Sequence, residues 1–232
     1  MKIAVAVIGL MFLASSACAD ENAELKTEKD RLSYSLGMDI GRTLKSQAID
    51  FDPETLARGI RDAHSGENLQ LTEEEFRATM ARFQEDMKAK QQAHVKEVSE
   101  KNLREGQEFL AENGKKEGVV SLPSGLQYKV ITQGDGPMPK DTDTVTVHYR
   151  GTLIDGTEFD SSYSRGEPAT FPVKGVIPGW TEVLQLMKTG SKWQVFIPSN
   201  LAYGERGAGG RIAPNSTLLF DVELLSIDQP EK

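Results

Sequence analysis

The sequence predicts an α+β fold: an all-α N-terminal segment and a long connecting helix, followed by a C-terminal antiparallel sheet wrapped on one short helix. Three observations carry this. Leu32, Leu36, Ile40 and Leu44 recur every four residues, a helical period. No proline or glycine lies between Thr72 and Gly106, which allows one long helix. At Gly118 the composition changes to β-branched residues alternating with polar ones, with Gly and Pro at short intervals.

The chain has 232 residues, 38% hydrophobic and 27% charged, enough for two small domains. The formal net charge of −8 argues against a phosphate backbone as partner, so nucleic acid is not expected. Residues 1–19 read as a signal peptide: Lys2, then an apolar run from Ile3 to Leu13, then Ala17-Cys18-Ala19 ahead of Asp20. The single cysteine, Cys18, falls inside it, so cleavage after Ala19 leaves a chain without disulfides or thiol chemistry. A second reading makes Cys18 a lipidation site, although Ser15 stands where leucine is usual; both readings stay open. The signal has a bacterial character, so the periplasm is the expected destination, with outer-membrane association as the alternative.

Residues 20–71 read as a helical dimerisation segment. The first helix carries the four-residue apolar repeat, and Gly37 and Gly41 within it imply that another backbone approaches closely there. Asp50-Phe51-Asp52-Pro53 starts a second helix, with Pro53 at its first position, Leu56 and Ile60 on one face, and a stop near Ser65-Gly66. Residues 72–117 form the connecting helix and linker. Thr72 and Glu75 have the spacing of a capping box, and Asn113-Gly114 is the natural stop. About 40 residues at 1.5 Å each span roughly 60 Å. Phe76, Met80, Phe83 and Met87 make an apolar stripe, but Lys88 to Glu105 is polar on nearly every side. Such a helix either bridges folded parts through solvent or lies as a charged face on an ordinary bundle. These helices make too small a core alone, so a second copy of the chain is the expected partner, giving a homodimer.

Residues 118–228 form the sheet domain, with a tail over 229–232. Strands are expected over Gln127–Thr132, Thr144–Tyr149, Ser191–Ile197 and Thr217–Ser226, and one helix over Pro178–Lys188. No H-E-x-x-H, phosphate loop or G-x-S-x-G elbow is present, and the three histidines are scattered. No metal or cofactor is expected. Tyr149, Phe159, Phe171, Trp180, Tyr203 and Phe220 fall in six separate segments, and composition alone makes them core.

The residues around them change that reading. Val147-His148-Tyr149-Arg150-Gly151, Asp155 to Ser162, Val176-Ile177-Pro178-Gly179-Trp180, Leu201-Ala202-Tyr203-Gly204 and Leu219 to Leu224 resemble, in order and spacing, the FK506-binding type of peptidyl-prolyl cis/trans isomerase. Leu32-Ser33-Tyr34-Ser35-Leu36-Gly37, the Asp-Pro-Glu turn, the long helix and Leu122 to Tyr128 resemble its macrophage infectivity potentiator (Mip) branch, whose members are secreted homodimers. The resemblance implies an isomerase of X-Pro bonds acting on unfolded or proline-containing exported proteins and inhibited by FK506 or rapamycin. The alternatives it leaves are a periplasmic chaperone or a virulence-associated binding protein in which isomerisation is incidental.

The resemblance also implies roles for residues. Trp180 is the floor of a prolyl pocket, with Tyr149, Phe159, Phe171, Val176, Ile177 and Phe220 as walls. The Ile177 N–H and Tyr203 hydroxyl bind carbonyls, and Asp160 stands at the rim, held by Tyr149 and Arg165. The bland alternative for Asp160 and Arg165 is a surface ion pair. In the loop Glu205–Ile212 only Ile212 keeps the apolar character of relatives, which leaves substrate preference open. The chemistry asks for no nucleophile. Amide rotation has a barrier of about 18–20 kcal/mol because the planar form is resonance-stabilised and polar. An apolar cleft raises that form relative to the twisted one.

Overall fold

The computed structural model describes residues 24–67 and 69–228; the expected signal peptide and the tail at 229–232 lie outside them. The chain divides into two units, at Glu74/Glu75.

In the first unit, α1 (Glu28–Ser46) begins at a capping box absent from the sequence reading. The Asp30 N–H donates to Thr27 Oγ1 at 3.1 Å and the Thr27 N–H to Asp30 Oδ2 at 2.9 Å. Helix α2 (Pro53–Ser65) starts as expected: Pro53 needs no N–H partner, and Asp52 Oδ1 accepts from the Thr55 N–H at 2.7 Å. It ends at Gly66, whose φ of 72° suits a residue without Cβ. No residue of either helix is buried. Leu32 is 62% exposed, and nothing within the described chain comes within 4 Å of a Cβ placed at Gly37 or Gly41. The close approach expected at those glycines is therefore not made among the described residues.

The second unit holds nearly all of α3 (Glu73–Asn113), a single 41-residue helix that stops where Asn113-Gly114 predicts. Its polar stretch does not stay in solvent to the end. From Ser99 onward the helix seats on the sheet domain: Asn102 Nδ2 donates to the Pro214 carbonyl at 2.8 Å, and the Phe109 ring lies 6.0 Å from Phe196. Gly106 is buried, and a Cβ there would collide with the Thr217 side chain. At the helix end the Leu110 carbonyl accepts from the Gly114 N–H at 2.9 Å and from Gln127 Nε2 at 2.8 Å, while Gln127 Oε1 accepts from Asn113 Nδ2 at 3.0 Å. Hydropathy reveals little of this docking, because apart from Phe109 it runs through amides, a hydroxyl and a glycine.

The sheet contains β1 (Val119–Ser121), β2 (Gln127–Thr132), β3 (Thr144–Leu153), β4 (Glu158–Ser161), β5 (Ala169–Pro172), β6 (Lys192–Ile197) and β7 (Leu218–Asp228). All pairs are antiparallel, in the order β1-β2-β6-β7-β3-β4, with β5 also on β3. Strands β3 and β7 run longer than the sequence implies because each supports the other over ten paired positions, from Thr144↔Asp228 to Leu153↔Leu218. Two short helices complete the domain, α4 (Ser162–Arg165) and α5 (Pro178–Leu184). The sequence reading carried the second of these on to Lys188. After Leu184 the bonds tighten to three-residue spacing, Leu186 N–H to Val183 and Met187 N–H to Leu184, so the chain keeps turning without remaining α-helical. Val145, Val147, Leu218, Val222 and Leu224 point from the sheet into the core, where Val183, Leu184 and Met187 meet them.

Candidate active site

The concave face of β3, β4, β5 and β7 is closed on one side by α5. Between them lies a cleft of about 370 Å³ lined by Tyr149, Phe159, Asp160, Phe171, Gly175, Val176, Ile177, Trp180, Tyr203 and Phe220. Nine of these were named from the sequence; Gly175 was not, because a glycine in a short turn carries no chemical signature.

The floor follows from strand alternation and helix placement. Tyr149 on β3 and Phe220 on β7 are inward positions, and Pro178 starts α5 so that Trp180 comes up beneath them. The Trp180 indole is edge-on to Tyr149 and Phe220, each at 5.2 Å between centroids, and to Phe171 at 5.9 Å. Phe159 meets Phe220 edge-on at 5.5 Å. Edge-to-face packing puts positive ring edges on negative ring faces and fixes each ring against the next. Trp180 is 3% exposed, and its Nε1–H has no hydrogen-bond partner.

The rim is polar. The Tyr149 hydroxyl donates to Asp160 Oδ2 at 2.5 Å; Arg165 donates to Asp160 Oδ1 at 2.5 Å and to the Tyr149 oxygen at 2.9 Å. Pairing of Gly151 with Asp160 brings β4 alongside β3, and α4 returns Arg165 to the carboxylate five residues on. The Asp160 and Arg165 side chains are each 44% exposed, so as an ion pair alone they would add under about 1 kcal/mol. The shared Tyr149 hydroxyl ties the pair to the cleft. Burial pushes the Asp160 carboxyl up, but the Tyr149 and Arg165 hydrogen bonds and the Arg165 charge outweigh it, holding its pKa below the ordinary aspartate value of 3.8. Burial, then the hydrogen bond to Asp160, raises the Tyr149 phenol.

Two donors at the cleft are unclaimed among the described residues. The Ile177 carbonyl accepts from Trp180 and Thr181, but its own N–H has no acceptor. Tyr203, 42% exposed, has a hydroxyl with no partner. Ile212 stands elsewhere. It is 7% exposed in the core cluster, paired with Ala208 through backbone bonds of 2.8 and 3.0 Å, and does not line the cleft. Arg165 does not line it either, and reaches it through Asp160 and Tyr149. Two supporting residues stood in the quoted motifs without a role. Buried Ser162 uses its Oγ to accept from the Tyr149 N–H at 2.8 Å and reach the Tyr149 carbonyl at 3.2 Å. Gly151 lies under the Phe159 and Phe220 rings.

Comparison with known proteins matches this geometry to a family. Residues 136–225 fit the FKBP-type peptidyl-prolyl cis-trans isomerase model, and residues 29–130 fit the domain found amino-terminal to it. The outer membrane protein MIP of Legionella longbeachae is 50% identical over 227 residues, covering 98% of this chain and 97% of that one. The peptidyl-prolyl cis-trans isomerase Mip of Coxiella burnetii is 47% identical, over 88% of each. The crystal structure of FkpA from Escherichia coli superposes with a TM-score of 0.75 at 43% identity, covering 88% of this chain and 98% of that one. With both family models matched in tandem and the aromatic cleft assembled, the chain belongs to the FKBP-type peptidyl-prolyl cis-trans isomerases, in their Mip-like branch.

Proposed function

We propose that this isomerase binds the prolyl ring of an exported, incompletely folded protein over Trp180 and turns the preceding amide within the cleft. The observation that carries the reading is the pairing of an aromatic floor with two unclaimed donors, the Ile177 N–H and the Tyr203 hydroxyl. Planar X-Pro amide is polar, and an apolar cleft strips its water. The two donors replace lost hydrogen bonds at the substrate carbonyls, so the peptide is held while the amide loses conjugation. Asp160, fixed by Tyr149 and Arg165, faces the twisted amide from the rim.

A proline-peptide isomerisation assay on the full chain tests this. FK506 or rapamycin is expected to inhibit, and Asp160→Ala and Tyr203→Phe are each expected to lower kcat/KM by about tenfold, the loss of one charge-assisted or well-placed hydrogen bond. Full activity in both variants would overturn the assignment. The pH profile is a second check. A carboxyl whose folded pKa is depressed contributes stability above its ordinary pKa and loses it as pH falls through the depressed value. Activity is therefore expected to stay level from about pH 8 down to about pH 5 as far as Asp160 is concerned, and the rim to open only below about pH 4. An acid limb near pH 6 that vanishes in Asp160→Asn would contradict it.

The same reading makes the chain a homodimer of the cell envelope, working in the periplasm with outer-membrane association as the alternative. Support comes from the uncovered apolar positions Leu32, Leu36 and Ile60, from Phe76 and Met80 on α3, from the open space at Gly37 and Gly41, and from the relative named as an outer membrane protein. A second chain would cover such positions. Deleting residues 20–71 is expected to leave a monomer in solution by light scattering; a deleted chain that stays dimeric would refute the interface.

A further inference from the structure

The Tyr203 hydroxyl has no hydrogen-bond partner among the described residues, so where it stands over the cleft is set by the backbone on either side. Before it runs a 3₁₀ turn, Ser199–Leu201, and after it a second, Gly204–Arg206. Both turns are held by one residue that does not line the cleft. The Asn215 N–H donates to the Gly204 carbonyl at 2.8 Å, and its Oδ1 accepts from Ser199 Oγ at 3.5 Å. The remaining end of the same amide points away from the loop: Asn215 Nδ2 donates to Ser99 Oγ of α3 at 2.8 Å. One turn along that helix, Asn102 holds the neighbouring Pro214 carbonyl, also at 2.8 Å. Asn215 lies in the left-handed region, φ 56°, which asparagine tolerates better than most residues. In that conformation its side chain reaches the helix and its backbone reaches Gly204.

We propose that Asn215 is a positioning residue that couples the seating of α3 to the placement of Tyr203. The helix at Ser99 and the loop beside the cleft share one amide, so movement of the helix there is passed to the turns that carry the tyrosine. The inference rests on the carbonyl-binding role of Tyr203, and the experiment separates the two. A side chain that merely stabilised the loop would affect activity equally with or without the Tyr203 hydroxyl. A coupling through the hydroxyl disappears when the hydroxyl is removed.

The test measures kcat/KM for a proline peptide on the full chain in a double-mutant cycle between Ser99→Ala with Asn102→Ala and Tyr203→Phe. The helix substitutions are expected to lower kcat/KM about threefold to tenfold when Tyr203 is present, and by less than about twofold in the Tyr203→Phe chain. Asn215→Gly, which keeps the left-handed backbone and removes the amide, should reproduce the loss. Asn215→Asp, whose carboxylate can accept from the Ser99 hydroxyl, should recover most of it. Equal losses in both backgrounds, or none in either while Tyr203→Phe is impaired, would overturn the coupling alone. Full activity of Tyr203→Phe would overturn the role of Tyr203 and the coupling with it.

Discussion

Trp180→Ala is expected to destabilise the sheet domain by about 3–5 kcal/mol, the range for removing a large aromatic from a packed interior. The indole is 3% exposed and touches three rings edge-on, so truncation leaves a void bounded by Tyr149, Phe171 and Phe220. Its Nε1–H has no partner, so no acceptor is orphaned and the loss is packing alone. Urea unfolding followed by the fluorescence of Trp193, the other of the chain's two tryptophans, reads the change. The midpoint should fall with the slope unchanged. A loss under about 1 kcal/mol would mean that the neighbouring rings collapse into the space. Activity should fall further than the folded fraction does, since the floor goes with the side chain.

Gly151→Ala should have the next largest effect, of the opposite kind. A Cβ at this position would lie 2.7 Å from two ring carbons of Phe159 and 2.8 Å from one of Phe220. Neither ring can retreat freely: Phe159 stands against Phe220, and Phe220 against Trp180. Overpacking of this kind costs about 1–3 kcal/mol. The displaced rings line the cleft, so FK506 affinity and kcat/KM should fall together with stability. Isothermal titration beside a urea curve measures both. Unchanged affinity at reduced stability would mean that the rings shift away from the cleft instead of into it.

The three helices were open to inspection in the sequence because periodicity and caps are local: Pro53, Gly66 and Asn113-Gly114 mark real ends. Strand β2 was equally plain. By contrast β1, β4 and β5 span only three or four residues, too short for alternation to show, and exist because β2 and β3 offer them an edge. The cleft residues were found through motif order and not through composition, which favours a simple core. That preference was not empty, since Trp180, Tyr149, Phe159 and Phe220 are core residues that also form the cleft. Ile212 shows the limit of motif reasoning: an apolar residue in the right loop turns inward to pair with Ala208. Gly151, Ser162 and Asn215 received no role from the sequence for a different reason. Each matters through what it lies against, which a motif does not state.

The burial of Gly106 against Thr217 bears on how the enzyme can be cut. A fragment starting at Gly118 would carry every cleft residue, yet it would bare Phe196, which Phe109 covers, and strand the Gln127 and Asn215 amides without their helix partners. Inhibitors ranked on such a fragment would meet a cleft whose adjoining loop has lost its anchor. A fragment that keeps the last five turns of α3 retains it, and a protease that nicks the helix above Ser99 should leave a stable, active remnant.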